Sequence, residues 1–263
     1  MESKRCPGEF LMSNENFLSR TLAAYQNKEP ITPYLEEALM RGDIFPKEYP
    51  VKIFNGIREF DDMYHPSSDV MAGELQLYYR FHPEKRLLCQ EERISPTLAM
   101  TFQIGSAFHS VIQNLLIHLG FTSLEKVEVK FRNEERKIAG AVDVLELTTP
   151  DGEKFLVDIK STNQLPNEAS EQYDMQLRVY QDNCPGAPER MALLFIQKSY
   201  PHKIKTIEVF KDDEKLKDLY DKWDRVRVAI RNNSSAGLRH CCSGPTDELF
   251  LKCPARNICE FWN

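Results

Sequence analysis

The sequence predicts an α/β fold in which a central mixed β-sheet is flanked by helices, with a helical extension before it and a cysteine-containing tail after it. Three observations predict this. A long apolar-periodic stretch closed by Gly120 is followed by three strand-like runs joined by charged turns. A helical pattern, EQYDMQLRVYQDN, separates those runs from two more, and a long amphipathic stretch from about Asp212 to Asn232 follows. Helices and strands that alternate in this way must share one core, which is the layered arrangement of α/β domains. The expected division is 1–64 for the extension, 65–239 for the core and 240–263 for the tail.

In chain order, Phe17, Leu18, Leu22 and Tyr25 recur at helical spacing after Ser13 or Asn14, which suit an N-cap, and Pro30 and Pro33 end that helix. A short helix from Pro33 to Arg41 follows, and 46–66 reads as a connector with a strand-like piece at Val51–Phe54. His65 to Asp69 looks like a helix entry, with Ser67 or Ser68 as N-cap, leading directly into MAGELQLYYRF. Ser95 or Thr97 opens the long helix that Gly120 closes; Gly105 and His109, four apart, share a face of it. The strands are KVEVKF, KIAGAVDVLEL and KFLVDIKS, with a turn at Pro150-Asp151-Gly152 before the last. After the next helix come RMALLFIQKS and an edge strand, KIKTIEVF.

Composition narrows the function classes. With 263 residues, the chain is long enough to bury a substantial core, and 41% hydrophobic with 28% charged residues is ordinary for a globular protein. No apolar run approaches the roughly 20 residues that span a bilayer, and the N-terminal segment lacks the apolar stretch of a secretion signal, so an intracellular setting without membrane attachment is expected. A net charge of -6 argues against holding nucleic acid by bulk positive charge. Seven cysteines, four of them at Cys241, Cys242, Cys253 and Cys259, suit thiols or metal ligands better than a disulfide framework.

The run from Gly140 to Lys160 carries the chemistry. In a strand, Asp158 and Lys160 project together while Phe155, Val157 and Ile159 point the other way. Carboxylates converging from neighbouring strands, Asp143 and Asp158, can hold a hard divalent cation, and an ammonium beside them can orient or stabilise a reacting oxygen. In isolation, a D-x-K on an amphipathic strand is equally a solvated face.

Order along the chain adds what spacing lacks. Gly105-x-x-x-His109 on a helix, Glu128 on a strand, Gly140-x-x-Asp143, Asp158-x-Lys160 and Gln176-x-x-x-Tyr180 on the next helix resemble the motif series of the PD-(D/E)XK nucleases. The likeness covers roughly 65–263 and is strongest to the RecB-like branch, which includes the lambda-exonuclease type and the CRISPR adaptation nucleases with an iron-sulfur tail. It implies a restriction-endonuclease-like core and a Mg²⁺- or Mn²⁺-dependent deoxyribonuclease, an exonuclease in preference to an endonuclease, acting in recombination, repair or phage DNA processing. By the resemblance, Asp143, Asp158 and the carbonyl of Ile159 hold the metal and His109 completes its shell. Lys160 positions or activates the attacking water. Glu128 either reaches the same site or faces solvent, lying on the face opposite Val127 and Val129. Gln176 and Tyr180 contact DNA or hold the ligands, Tyr180 being equally a core aromatic, and Arg178 is a surface residue or a phosphate contact. Lys126, Lys130, Arg132, Arg136, Lys137, Lys198, Lys203 and Lys205 line a DNA path or are ordinary solvated strand edges.

The tail resembles the iron-sulfur tails of the same branch at C-P-x-x-x-x-C, Cys253 to Cys259, and this implies a [4Fe-4S] cluster held by Cys89, Cys242 or Cys241, Cys253 and Cys259. It departs from that pattern in the long gap from Cys242 to Cys253 and in the upstream position, which falls near Gly73 and leaves Cys89 as the nearby substitute. Zinc on His240 and three tail cysteines, or buried thiols, also fit. Two rival readings share the fold: a catalytically idle subunit of a helicase or recombination complex, against which the intact Asp143, Asp158 and Lys160 argue, and an RNA-directed or structure-specific endonuclease. DNA is the expected partner; a helicase or recombination protein is a further one, and oligomerisation is open, since the lambda-exonuclease branch forms trimeric rings.

Overall fold

The computed structural model describes residues 30–40, 60–89, 95–200, 202–244, 246–251 and 253–259. The expected first helix near Phe17 and the strand-like Val51–Phe54 lie outside the described residues.

β3 (Lys154–Thr162) and β4 (Arg190–Gln197) are apolar on both sides because both of their faces are covered. Phe155, Val157 and Ile159 of β3, with Ala192, Leu194 and Ile196 of β4, pack under α4 (Pro96–His118) and α1 (Thr32–Met40), where Ile31, Leu35, Ile112, Leu115 and Leu116 meet them. The alternate side chains, Leu156, Met191, Leu193 and Phe195, pack under α5 (Glu171–Asn183) and α6 (Asp213–Arg231). The two strands run parallel. The sheet has the order β1-β2-β3-β4-β5, with β1 (Val127–Asn133), β2 (Ile138–Thr148) and β5 (Ile204–Val209) each antiparallel to its neighbour. The predicted edge strand is therefore at an edge.

Caps place the long helices where the sequence expects them. Ser95 accepts the N–H of Leu98 to open α4, Ser170 that of Tyr173 to open α5, and Asp212 that of Lys215 to open α6. Gly120, at φ 73°, supplies the left-handed turn that stops α4.

The helix entry at 65–69 differs from expectation. Instead of one helix there are two, α2 (Pro66–Asp69) and α3 (Glu74–Phe81), and neither Ser67 nor Ser68 caps: His65 stands at the N-cap without a side-chain bond, and Gly73 precedes α3. The reason is Asp69. Its carboxylate turns inward, fully buried, where it accepts the His65 N–H and the Ser68 hydroxyl and pairs with Arg80. Tyr64, just upstream, bridges to Ile138 of β2 and stacks its ring on Trp223 of α6 at 4.6 Å, fastening this region to the sheet. Beyond α6 the described residues include a short helix, α7 (Glu248–Leu251).

Candidate active site

The site begins where two strands part. β2 and β3 are paired from Thr148↔Lys154 as far as Val144↔Val157, and the ladder then stops. Just past that point Asp143 and Asp158 would be opposite each other. The Ile159 N–H, released from the ladder, is satisfied by Asp143 Oδ2 at 2.8 Å. The other oxygen of Asp143 meets His109 Nδ1 of α4 at 3.2 Å.

β1 and β2 switch faces at the same level. Val129 and Val142 pack on the α5 side, while Val127 and its partner Val144 pack on the α4 side. The expectation that Val127 and Val129 share a face, with Glu128 opposite, is corrected here: Glu128 has φ 51°, so the pleat breaks at that residue. Glu128 turns toward α4, where Gln113 Nε2 donates both to its Oε1 at 2.8 Å and to the Asp143 carbonyl at 3.1 Å. Gln113 was not singled out from sequence, although its spacing of four from His109 puts it on the same helical face.

From the other side, α5 supplies a polar clamp. Gln176 Oε1 accepts from Lys160 Nζ at 3.0 Å; its Nε2 donates to the Tyr180 hydroxyl oxygen at 2.8 Å and points to Asp158 Oδ1 at 3.4 Å. Lys160 Nζ is also 2.7 Å from Asp158 Oδ2 and lies over the Tyr173 ring, 4.6 Å from its centroid. Tyr173, three before Gln176, was likewise missed and was findable by that spacing. The Tyr180 ring packs edge-on against Phe131 in the core, so it is both a core aromatic and a hydroxyl at the rim. Gly140 lets the two rings meet: a Cβ there would be 2.9 Å from Phe131 Cε1 and 3.0 Å from Tyr180 Cε1.

The charges are strongly coupled. Burial pushes the Asp158 carboxyl above its ordinary range, and the neighbouring Asp143 charge adds to this against the pull of Lys160. Burial acts the same way on Asp143, but His109, Lys160 and the Ile159 N–H outweigh it and hold that carboxyl at about 2. Lys160 and His109 each lose charge stability to burial and regain more from the carboxylates, ending above their usual values.

This donor set suits a hard divalent cation. Asp158 Oδ2 is buried with the Lys160 ammonium 2.7 Å away, and as a carboxylate oxygen it has a second lone pair for a ligand. The oxygens available are those of Asp143, Asp158 and the Ile159 carbonyl. Among the described residues, no three His, Cys, Asp or Glu side chains form a ready-made metal group, and His109 faces Asp143.

One expectation about a charged residue is corrected. Arg178 is buried and binds Asp174 through two hydrogen bonds of 3.0 Å, because α6 covers that part of α5. The basic residues of β1 and the β1–β2 turn are largely neutralised: Arg132 and Lys137 pair with Asp61, Asp62 and Glu134, and Arg136 pairs with Asp182. Lys205 is taken up by the carbonyls of Pro166 and Asn167.

A family model described as "PD-(D/E)XK nuclease superfamily" matches residues 117–260, more than half of the chain. The chain belongs to the PD-(D/E)XK nuclease superfamily. For a PD-(D/E)XK nuclease, the matched region takes in the whole sheet, α5, α6 and most of the tail. No curated protein matches the sequence. Among solved structures, the chain is similar to SSO0001, with 15% identity and a TM-score of 0.45 over 77% of this chain and 90% of that one. It is also similar to an alkaline exonuclease (LHK-Exo) from Laribacter hongkongensis, with 14% identity and a TM-score of 0.43 over 65% and 89%. The complex of that exonuclease with dAMP gives 16% and 0.43 over the same shares.

Among the described residues Cys89, Cys241, Cys242, Cys253 and Cys259 form no disulfide. Burial raises the thiol of Cys89, with the Cys253 charge adding; it raises Cys241 to about 11, with Cys242 and Cys253 adding. Burial raises Cys253 as well, against the Ala255 N–H, with Cys259 and Cys242 adding to the rise. The described helices include none long and apolar enough to cross a membrane.

Proposed function

We propose that this nuclease is a Mg²⁺- or Mn²⁺-dependent deoxyribonuclease, an exonuclease in preference to an endonuclease, that serves DNA recombination, repair or phage DNA processing. The observation that carries the reading is the pair of buried carboxylates where β2 and β3 part: Asp158, with Oδ2 2.7 Å from the Lys160 ammonium, and Asp143, held opposite by the Ile159 N–H. When bound, the cation supplies Lewis-acid polarisation of the phosphate and lowers the pKa of a water. Asp143, Asp158 and the Ile159 carbonyl would hold it. The Ile159 N–H and His109 Nδ1 hold the Asp143 carboxylate in one orientation, and His109 would complete the metal shell beside it.

Lys160 acts on the reacting oxygen. Its ammonium, steadied by Gln176 and Tyr173, orients the attacking water and neutralises charge that builds on the phosphate. Tyr180 holds Gln176, and Glu128 reaches the fork through Gln113. For the tail we infer a [4Fe-4S] cluster on Cys89, Cys242, Cys253 and Cys259, with zinc the lesser alternative; the C-P-x-x-x-x-C spacing of Cys253 and Cys259 supports it, while among the described residues the thiols form no ready-made metal group. We also retain 1–64, 65–239 and 240–263 as extension, nuclease core and tail.

End-labelled linear DNA and a closed circle test the activity. Mononucleotide or short products from the linear substrate, with the circle intact, are expected, and Asp158→Ala and Lys160→Ala each abolish them while the circular-dichroism spectrum stays unchanged. Undiminished digestion by either variant overturns the site, and a cut circle overturns the exonuclease assignment. Iron and zinc content of anaerobically purified protein tests the tail; a colourless preparation free of both metals removes the cluster.

A further inference from the structure

The end of the sheet where β3 and β4 finish carries a feature that the chemistry above does not use. After Gln197, Lys198 and Ser199 are tied to the segment that follows the strand bearing Lys160: the Lys198 N–H donates to the Thr162 carbonyl at 2.7 Å and the Ser199 hydroxyl to the Asn163 carbonyl at 2.7 Å. Tyr200 is 90% exposed. Its ring makes a T-shaped contact with His202, centroids 6.5 Å apart, and His202 is anchored through Nδ1 to the Gln197 carbonyl. Neither Lys198 nor Lys203 has an ion-pair or side-chain hydrogen-bond partner among the described residues, in contrast to Arg132, Arg136 and Lys137.

The same end is apolar on its other side. Gly105 of α4 lies against Ser161, while later residues of that helix, His109 and Gln113, reach Asp143 and Glu128. Its first turns therefore project past the end of β3, where Leu98, Met100, Phe102 and Ile104 are exposed. Thr162, two residues beyond Lys160 and about 6.6 Å farther along the strand at about 3.3 Å per residue, accepts the Lys198 N–H, so Tyr200 lies at the end of the sheet toward which the Lys160 strand runs.

We propose that Tyr200 is a stacking platform for an unpaired base of the nucleic-acid strand that enters the site, with Lys198 and Lys203 contacting the phosphates on either side. The proposal rests on the nuclease reading for its strand path and adds a preference for single-stranded ends. A π face open to solvent beside unpaired ammonium groups is the equipment that binds unpaired strands without sequence choice. Tyr200 is a positioning residue and takes no part in bond cleavage.

Binding and cleavage test it separately. Anisotropy of a labelled oligothymidylate in EDTA reads binding alone: Tyr200→Ala weakens it about tenfold, the equivalent of roughly 1.4 kcal/mol of stacking, whereas Tyr200→Trp preserves it. Lys198→Gln with Lys203→Gln flattens the salt dependence. An affinity within twofold of the wild type for Tyr200→Ala, or equal loss in Tyr200→Trp, overturns the platform. Hydrolysis of thymidine 5′-p-nitrophenyl phosphate, too small to reach Tyr200, is the second arm. Equal rates for wild type and Tyr200→Ala support the proposal, and a slower variant overturns it. A wild type inert on this substrate and on DNA fails the nuclease reading, while the anisotropy comparison still decides the platform.

Discussion

Asp143 Oδ2 accepts the Ile159 N–H at 2.8 Å at the point where β2 and β3 cease to pair. A backbone donor that would have belonged to the ladder is thus converted into a fixed partner for a carboxylate where Asp143 and Asp158 stand opposite each other. The arrangement has a cost in buried like charge, which His109 and Lys160 offset.

Acid stability follows from that balance. The folded pKa of Asp143 is held at about 2, below the unfolded value of about 4, so its ionised form contributes stability that is fully present above pH 4 and is lost as pH falls through 4 to 2. The contribution is on the order of 2 kcal/mol. Urea unfolding of wild type and Asp143→Asn is expected to show the widest gap near neutral pH and convergence by about pH 2. A gap that does not change with pH would mean that the pairing does not stabilise the fold.

Gln176 ties Lys160 to Asp158, and the two are separated by only one residue on a single strand, so its loss should affect orientation more than binding. Gln176→Leu is expected to lower kcat roughly 10- to 100-fold, within the range that misplaced catalytic groups lose, with KM for DNA little changed. A rise in KM at constant kcat would instead identify Gln176 as a DNA contact.

Those residues show where sequence is readable. Asp158, Lys160, Gln176 and Tyr180 follow from strand alternation and helical spacing, both local rules, and the caps Ser95, Ser170 and Asp212 are marked by residue type. Glu128 is different. A positive φ at a non-glycine residue carries no sequence mark, and the face switch it produces depends on β2 across the ladder. Arg178 was legible as an i,i+4 partner of Asp174, but its burial required α6, more than thirty residues later, to pack over it. The neutralisation of Arg132 by Asp61 and Asp62 likewise joins segments about seventy residues apart. Asp69 was read as part of a helix entry because nothing local announces that its carboxylate turns inward to meet Arg80.

Metal dependence should follow the oxygen donors. EDTA is expected to stop hydrolysis, and added Mg²⁺ or Mn²⁺ to restore it, while calorimetric titration of Mn²⁺ gives a binding isotherm in the wild type that weakens at least tenfold in Asp158→Asn, because one of two carboxylates is lost. Identical isotherms for the two proteins would place the ion elsewhere.

The two glycines of the motif series separate packing from conformational demand. At Gly140 an added Cβ would come within 3.0 Å of both Phe131 and Tyr180, ring atoms that are locked together in the core. Gly140→Ala is therefore expected to cost about 1–3 kcal/mol, the usual penalty of overpacking, and to move the Tyr180 hydroxyl off Gln176, so that activity falls along with the denaturant midpoint. At Gly105 the same Cβ meets only Ser161 Oγ, at 3.4 Å, and alanine is a better helix former than glycine by about 0.8–1.0 kcal/mol. Gly105→Ala should leave stability unchanged or raised. If it nevertheless lowers cleavage, the open space over Ser161 is used by the substrate; if Gly140→Ala is as stable as the wild type, the Phe131–Tyr180 contact is looser than its geometry implies, and Tyr180 does not depend on Gly140 for its position.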